Sequence, residues 1–199
     1  MNNKTTFLLT LTLILSVGLL MSGCSNDTET AENTQAAAQT SEQGGAVQGD
    51  LVVGPLKGNL APNFNLKNIH GGTVELASLK GKAVLIDFWD TWCPPCRRAL
   101  PHLQELSEAY AADLVVVGVA MGRDGEAKVK SYVEENNLDF TFVMADAPQY
   151  QVMRDFGGVQ SIPTTFLVDR EGVIRQIWTG AMPKAAYEEA VRQVIGVQG

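Results

Sequence analysis

Cysteine is scarce in this chain: there are three in 199 residues, Cys24, Cys93 and Cys96. So few exclude a small fold stapled by several disulfides. There is no second close cysteine pair, and histidine is limited to His70 and His102, so a four-ligand zinc site lacks its usual ligands. Arg97, not His, follows Cys96, which excludes covalent haem attachment of the C-x-x-C-H type. Basic charge is short as well. The 15 Lys and Arg against 22 Asp and Glu give a net charge of −7 and a pI of about 4.8. A nucleic-acid binder carries a basic patch, and this balance argues against one. The long apolar run, Phe7 to Met21, is fifteen residues, short of the roughly 20 that a membrane span needs.

What is present is the composition of a globular protein, 45% hydrophobic and 19% charged, long enough for one domain with chain to spare. The spare length lies at the N-terminus. Lys4 gives the start one positive charge, the apolar run follows, and Ser22-Gly23-Cys24 closes it. Such a run suits the core of an export signal. The segment resembles the bacterial lipoprotein signal, which is cut before a cysteine that receives lipid, although Met21 stands where Leu is usual. The resemblance implies lipidation of Cys24 and accounts for the odd cysteine. The alternative is a plain cleaved signal or an uncleaved N-terminal anchor. Residues 25–49 are almost all small or polar, with Val47 the only large apolar side chain, too little to offset the entropy of ordering. Read this way, 1–23 is a signal peptide, 24–57 a lipid-attached disordered tether, and 58–199 one folded domain. The domain is expected outside the cytoplasm, on the periplasmic side if the cell has an outer membrane.

Within that domain, 64–66 and 73–76 read as strands around the turn-rich Asn68-Ile69-His70-Gly71-Gly72. Residues 83–88 and 114–120 are near-continuous apolar runs, as in buried strands. Helical spacing places Leu100, Leu103, Leu106 and Tyr110 on one face of a helix over 96–111. Helices at 126–136 and 149–156, strands at 140–144, 164–168 and 173–178, and a closing helix at 184–195 complete the series. Strands alternating with helices, then a hairpin and a helix, predict an α/β sandwich with a mixed sheet.

Between the first buried strand and the long helix lies Asp87-Phe88-Trp89-Asp90-Thr91-Trp92-Cys93-Pro94-Pro95-Cys96-Arg97-Arg98. The thiolate is the reactive form of cysteine, and an unperturbed thiol with a pKa of about 8.5 is little ionised at neutral pH. A helix N-terminus offers unpaired N–H groups and partial positive charge, both favouring the anion. Two intervening residues let one sulfur reach the other, so Cys93 can attack a substrate disulfide and Cys96 can displace the mixed disulfide. Pro94 and Pro95 lack N–H groups, which points to the Cys96 amide as donor to the Cys93 sulfur. A merely structural disulfide is the bland alternative, with too short a loop to stabilise much.

These residues resemble the thioredoxin superfamily, and more closely its TlpA/ResA-like (AhpC/TSA-related) branch of exported thiol–disulfide oxidoreductases. The similarity covers about 61–196. Pro101, five residues after Cys96, matches the proline that kinks the first long helix in thioredoxins. Ser161-Ile162-Pro163-Thr164 resembles the segment in which the proline is cis and faces the cysteines. The resemblance implies that the backbone of Ile162 pairs with an extended substrate. Ala61-Pro62-Asn63-Phe64-Asn65-Leu66 and Leu79-Lys80-Gly81-Lys82 resemble the opening shared with peroxiredoxins. The implied fold is a three-layer α/β/α sandwich with an N-terminal β-hairpin extension and an inserted helix-strand unit between residues 126 and 144. The implied chemistry uses the redox-active Cys93–Cys96 disulfide, with no other cofactor and no metal.

Asp87 interrupts an apolar run, where a carboxylate is costly unless paired or protonated. An Asp at the matching place in thioredoxins assists proton transfer with the second cysteine, while many TlpA/ResA-like proteins carry Asn. The resemblance makes Asp87 a general acid or base for Cys96, acting through water; the alternative is a carboxylate satisfied at a strand end. Asp90 stands where relatives commonly have Ala or Gly, and a carboxylate beside Cys93 disfavours its thiolate. Trp89 and Trp92 are candidates for an apolar docking rim, with Trp92 expected at the surface, and Trp92, Pro94, Pro95, Ile162 and Pro163 are the expected substrate-binding residues. Trp89 is expected in the core, and His102 at the surface rather than in catalysis.

The expected function is reduction of disulfides in exported proteins by dithiol–disulfide exchange, with apocytochrome c in cytochrome c maturation as the first client class. Its expected partners are protein disulfide clients, a membrane thiol electron donor, and the membrane through the lipid anchor, with the protein itself a monomer. Oxidation of clients uses the same residues in the opposite direction. A thiol peroxidase competes because of the peroxiredoxin-like opening. However, the Pro and Thr that peroxiredoxins place before the reactive cysteine fall on Ile86 and Asp90 here. A non-enzymatic binding module using the cis-proline groove is a third reading.

Overall fold

The computed structural model describes residues 47–48, 51–145 and 150–196. The expected signal peptide, Cys24 and most of the expected tether lie outside the described residues. The first elements are a short antiparallel pair, β1 (Val47–Gln48) with β2 (Leu51–Val52), and a hairpin, β3 (Asn65–Lys67) with β4 (Thr73–Glu75). A 3-10 turn, Leu76–Leu79, leads into the main sheet.

Five strands make that sheet: β5 (Ala83–Trp89), β6 (Leu114–Ala120), β7 (Thr141–Met144), β8 (Thr164–Val168) and β9 (Ile174–Thr179). Their order is β7-β6-β5-β8-β9, with β5, β6 and β7 parallel and β8 and β9 antiparallel. Every residue of β5 is buried, because a central strand is covered on both faces; hence an apolar run that Asp87 alone interrupts. Among the described residues, four α-helices complete the fold: α1 (Pro94–Ala109), α2 (Glu126–Glu135), α3 (Gln151–Asp155) and α4 (Lys184–Ile195).

The pleat of β5 sorts its side chains between two cores. Leu85 and Trp89 pack with Leu100 and Leu103 of α1, Val129 and Val133 of α2, and Tyr187 and Val191 of α4. Val84, Ile86 and Phe88 pack with Leu66, Leu76 and α3 residue Val152 on the opposite face. Helices on both faces make this the three-layer α/β/α sandwich of thioredoxin-like folds, with a mixed sheet.

The structure differs from the sequence expectations by a residue or two at several element ends, and at two places that bear on the site and on where the domain begins. Helix α1 starts at Pro94 rather than residue 96, because Cys93 caps it and proline is tolerated in a first turn. Backbone pairing also reaches upstream of residue 58. Leu60 N–H donates to Val52, Gly54 N–H to Leu60 and Gly58 N–H to Ile174, at 3.0, 3.0 and 2.8 Å. Such main-chain bonds leave no trace in side-chain composition.

Candidate active site

The end of β5 and the start of α1 bring the predicted cysteines to one place. Cys93 is the N-cap of α1, with extended backbone (φ −92°, ψ 104°). It is disulfide-bonded to Cys96, with Cα atoms 5.3 Å apart. The Cys96 amide donates to the Cys93 sulfur at 3.2 Å. Pro94 and Pro95 occupy the first helical positions and have no N–H to offer, so this is the first helical amide available. Cys96 is fully buried, and Cys93 retains 3% of its surface. One sulfur thus borders a surface and the other backs it.

The Ile162–Pro163 peptide is cis. It places the Ile162 carbonyl oxygen 3.6 Å from the Cys93 sulfur. A groove of about 460 Å³ opens there, lined by Trp92, Cys93, Pro94, Pro95 and Ile162 together with Met121, Arg123, Tyr150 and Met153. Trp92 is 44% exposed and Trp89 fully buried. The Arg123 guanidinium lies 4.9 Å over the Trp92 ring, a cation–π contact that stiffens the rim. Arg97 stacks instead on Tyr132, 5.7 Å from its ring centre.

The two acidic residues of the motif behave differently. Asp90 is buried, yet its oxygens accept from the Thr91 and Arg123 amides at 2.7 and 3.1 Å. Its carbonyl accepts from Cys93 N–H at 3.2 Å. Asp90 therefore ties the motif loop to the segment after β6, and its carboxylate is engaged by amides. Asp87 is fully buried between β6 and β8 in the sheet. Thr165 donates to its Oδ1 at 2.7 Å, while Oδ2 has no hydrogen-bond partner among the described residues. Burial pushes its pKa up from 3.8 to about 7, against the smaller lowering effect of the Thr165 bond.

The comparison with known proteins decides the family. Residues 57–177 match the AhpC/TSA family. The chain belongs to that family. It is 36% identical over 139 residues to the thioredoxin-like protein YneN of Bacillus subtilis, covering 69% of this chain and 79% of that protein. It is 33% identical over 132 residues to the thiol-disulfide oxidoreductase ResA of Halalkalibacterium halodurans, covering 66% and 73%. The crystal structure of a thiol:disulfide interchange protein, a thioredoxin family protein from Chlorobium tepidum TLS, superposes with a TM-score of 0.64 at 30% identity. That match covers 71% of this chain and 99% of the other. The AhpC/TSA match thus lies in the ResA-like branch of the thioredoxin superfamily. The chain is a thiol–disulfide oxidoreductase whose redox group is a cysteine pair.

The sequence reading missed Thr165, Tyr187 and Arg123. Thr165 carried a signal, since it follows the cis-proline by two residues. Tyr187 and Arg123 carried none, because only the fold brings α4 and the loop after β6 to this end. His102 is half-buried, its Nδ1 has no hydrogen-bond partner among the described residues, and it is no part of the groove. Among the described residues there is no cluster of three or more potential metal ligands, and no helix long and apolar enough to cross a membrane.

Proposed function

We propose that the protein reduces disulfides in exported proteins, with Cys93 as nucleophile, Cys96 as resolving thiol and Asp87 as the acid–base group for Cys96. The reading rests on one arrangement above all: the Cys93 sulfur borders a groove beside the Ile162 carbonyl, with Cys96 fully buried behind it. An extended client lies along Ile162 and Pro163, flanked by Trp92, Pro94 and Pro95. The Cys93 thiolate attacks one client sulfur, the other client sulfur leaves, and a mixed disulfide forms. Cys96, deprotonated with the help of Asp87, then attacks the Cys93 sulfur and releases the reduced client. A carboxyl with a pKa of about 7 accepts and returns a proton near neutral pH.

Lipidation at Cys24 and a tether to about residue 50, where pairing with the domain begins, place this monomeric domain on the outer side of a bacterial membrane. There a membrane thiol donor re-reduces the Cys93–Cys96 disulfide. The haem-binding cysteines of apocytochrome c are the first client class. Trapping tests the assigned roles. Cys96→Ser should accumulate client adducts that dithiothreitol releases, and Cys93→Ser should accumulate none. Equal adducts on both variants would overturn the assignment.

A further inference from the structure

Asp87 and Thr165 face each other across the antiparallel pairing of β5 and β8. Both are fully buried, and so is Tyr187 of α4. The Thr165 hydroxyl donates to Asp87 Oδ1 at 2.7 Å and lies 3.5 Å from the Tyr187 hydroxyl. A hydroxyl has one proton to give. Thr165 spends it on Asp87, so towards Tyr187 it accepts. Tyr187 in turn accepts from the Met182 main-chain N–H at 3.3 Å. The bonds therefore run in one direction, from Met182 N–H through Tyr187 O–H and Thr165 O–H to Oδ1. Burial raises the Tyr187 pKa, which keeps the phenol a donor. The loop that supplies Met182 is itself fixed to the cis-proline, since Gly180 N–H donates to the Pro163 carbonyl at 2.8 Å.

We propose that Thr165 and Tyr187 are positioning residues: their one-way hydrogen-bond chain reserves Oδ1 of Asp87 as an acceptor and confines the exchanged proton to Oδ2. A proton on Oδ1 would have to donate to Thr165 and reverse the chain. The Met182 N–H cannot reverse, because an amide only donates. The Tyr187 proton would then lose the one acceptor it has among the described residues, in a fully buried site where an unpaired donor is costly. Oδ2, without a partner among the described residues, is left for transfer. The inference rests on the acid–base reading of Asp87. In that step the Cys96 S–H bond breaks, its electron pair stays on sulfur, and the proton bonds to Oδ2. Among the described residues, the titratable groups packed on this face of the sheet are Tyr187 from α4, the cysteine pair at α1 and, only partly buried, Tyr110 at the end of α1 and Tyr132 from α2. Gly118 and Thr165, the register neighbours of Asp87, bring none.

The test is infrared and ¹³C NMR titration of Asp87 in the full-length protein, for the parent, Thr165→Val, Thr165→Ser and Tyr187→Phe. In the parent, the protonated carboxyl should show a C=O stretch lowered by the hydrogen bond to Oδ1. Thr165→Val should move that stretch up in frequency and the titration midpoint up by about one unit. Thr165→Ser should restore both, and Tyr187→Phe should shift them less, in the same direction. An unchanged stretch and midpoint in Thr165→Val and Tyr187→Phe would overturn the chain. Asp87→Asn separates this from the reading beneath it. If that variant keeps the parent's pH dependence of mixed-disulfide resolution, the acid–base reading falls. The stretch and midpoint still decide where the proton sits.

Discussion

Asp87 shows how burial acts on a single residue. Its folded-state pKa of about 7 lies well above the ordinary 3.8, chiefly because the charged form is desolvated. A raised folded pKa means the native state favours the protonated group. The stability this contributes is fully present below the unfolded value and is lost as pH rises through about 7. The full span is on the order of 4 kcal/mol. Asp87→Asn keeps the shape without the titration. Relative to the parent it should gain stability between acid and mildly alkaline pH, by a margin of that order. Urea denaturation of both proteins at about pH 4 and pH 8 reads the change, and a constant difference would refute it. Asp90 carries the same charge in the same motif and is held by two amides instead. Residue type alone does not distinguish these two environments.

Among the elements, β6 has a structural requirement hidden in one small residue. A Cβ on Gly118 would stand 2.8 Å from a Phe142 ring carbon and 3.0 Å from Trp89 Nε1. The missing side chain lets the Trp89 and Phe142 rings meet edge-on, 5.4 Å apart, directly behind the cysteine motif. Gly118→Ala should cost about 1–3 kcal/mol through overpacking, visible as a lower denaturation midpoint. A variant as stable as the parent would show that the rings have room to move. The elements themselves were largely legible, since 114–120, 164–168 and 184–195 match the structure at both ends. The short helix expected over 149–156 is narrower, Gln151–Asp155, because Tyr150 takes a left-handed conformation at its start.

At the scale of the molecule, direction is a matter of reduction potential. Helix-terminus charge and the Cys96 amide favour the Cys93 thiolate, while burial disfavours charge. Equilibration with glutathione or dithiothreitol measures the balance. A reductase should show a potential near or below thioredoxin's roughly −270 mV, and a value near −120 mV would make this a disulfide donor. The site assignment is common to both outcomes.

The sequence by itself determined the strand-helix order and the cysteine pair at a helix start, and its resemblance to thioredoxins marked the cis-proline segment. These are local patterns, written in hydrophobic period, the spacing of Cys93 and Cys96, and the residues around Pro163. Only the tertiary structure decided what surrounds Asp87 and Asp90, how Arg123 reaches Trp92, and how Tyr187 meets Thr165. Those contacts join residues from 22 to 78 positions apart. Their energies depend on distance and burial, which exist only once the chain has packed.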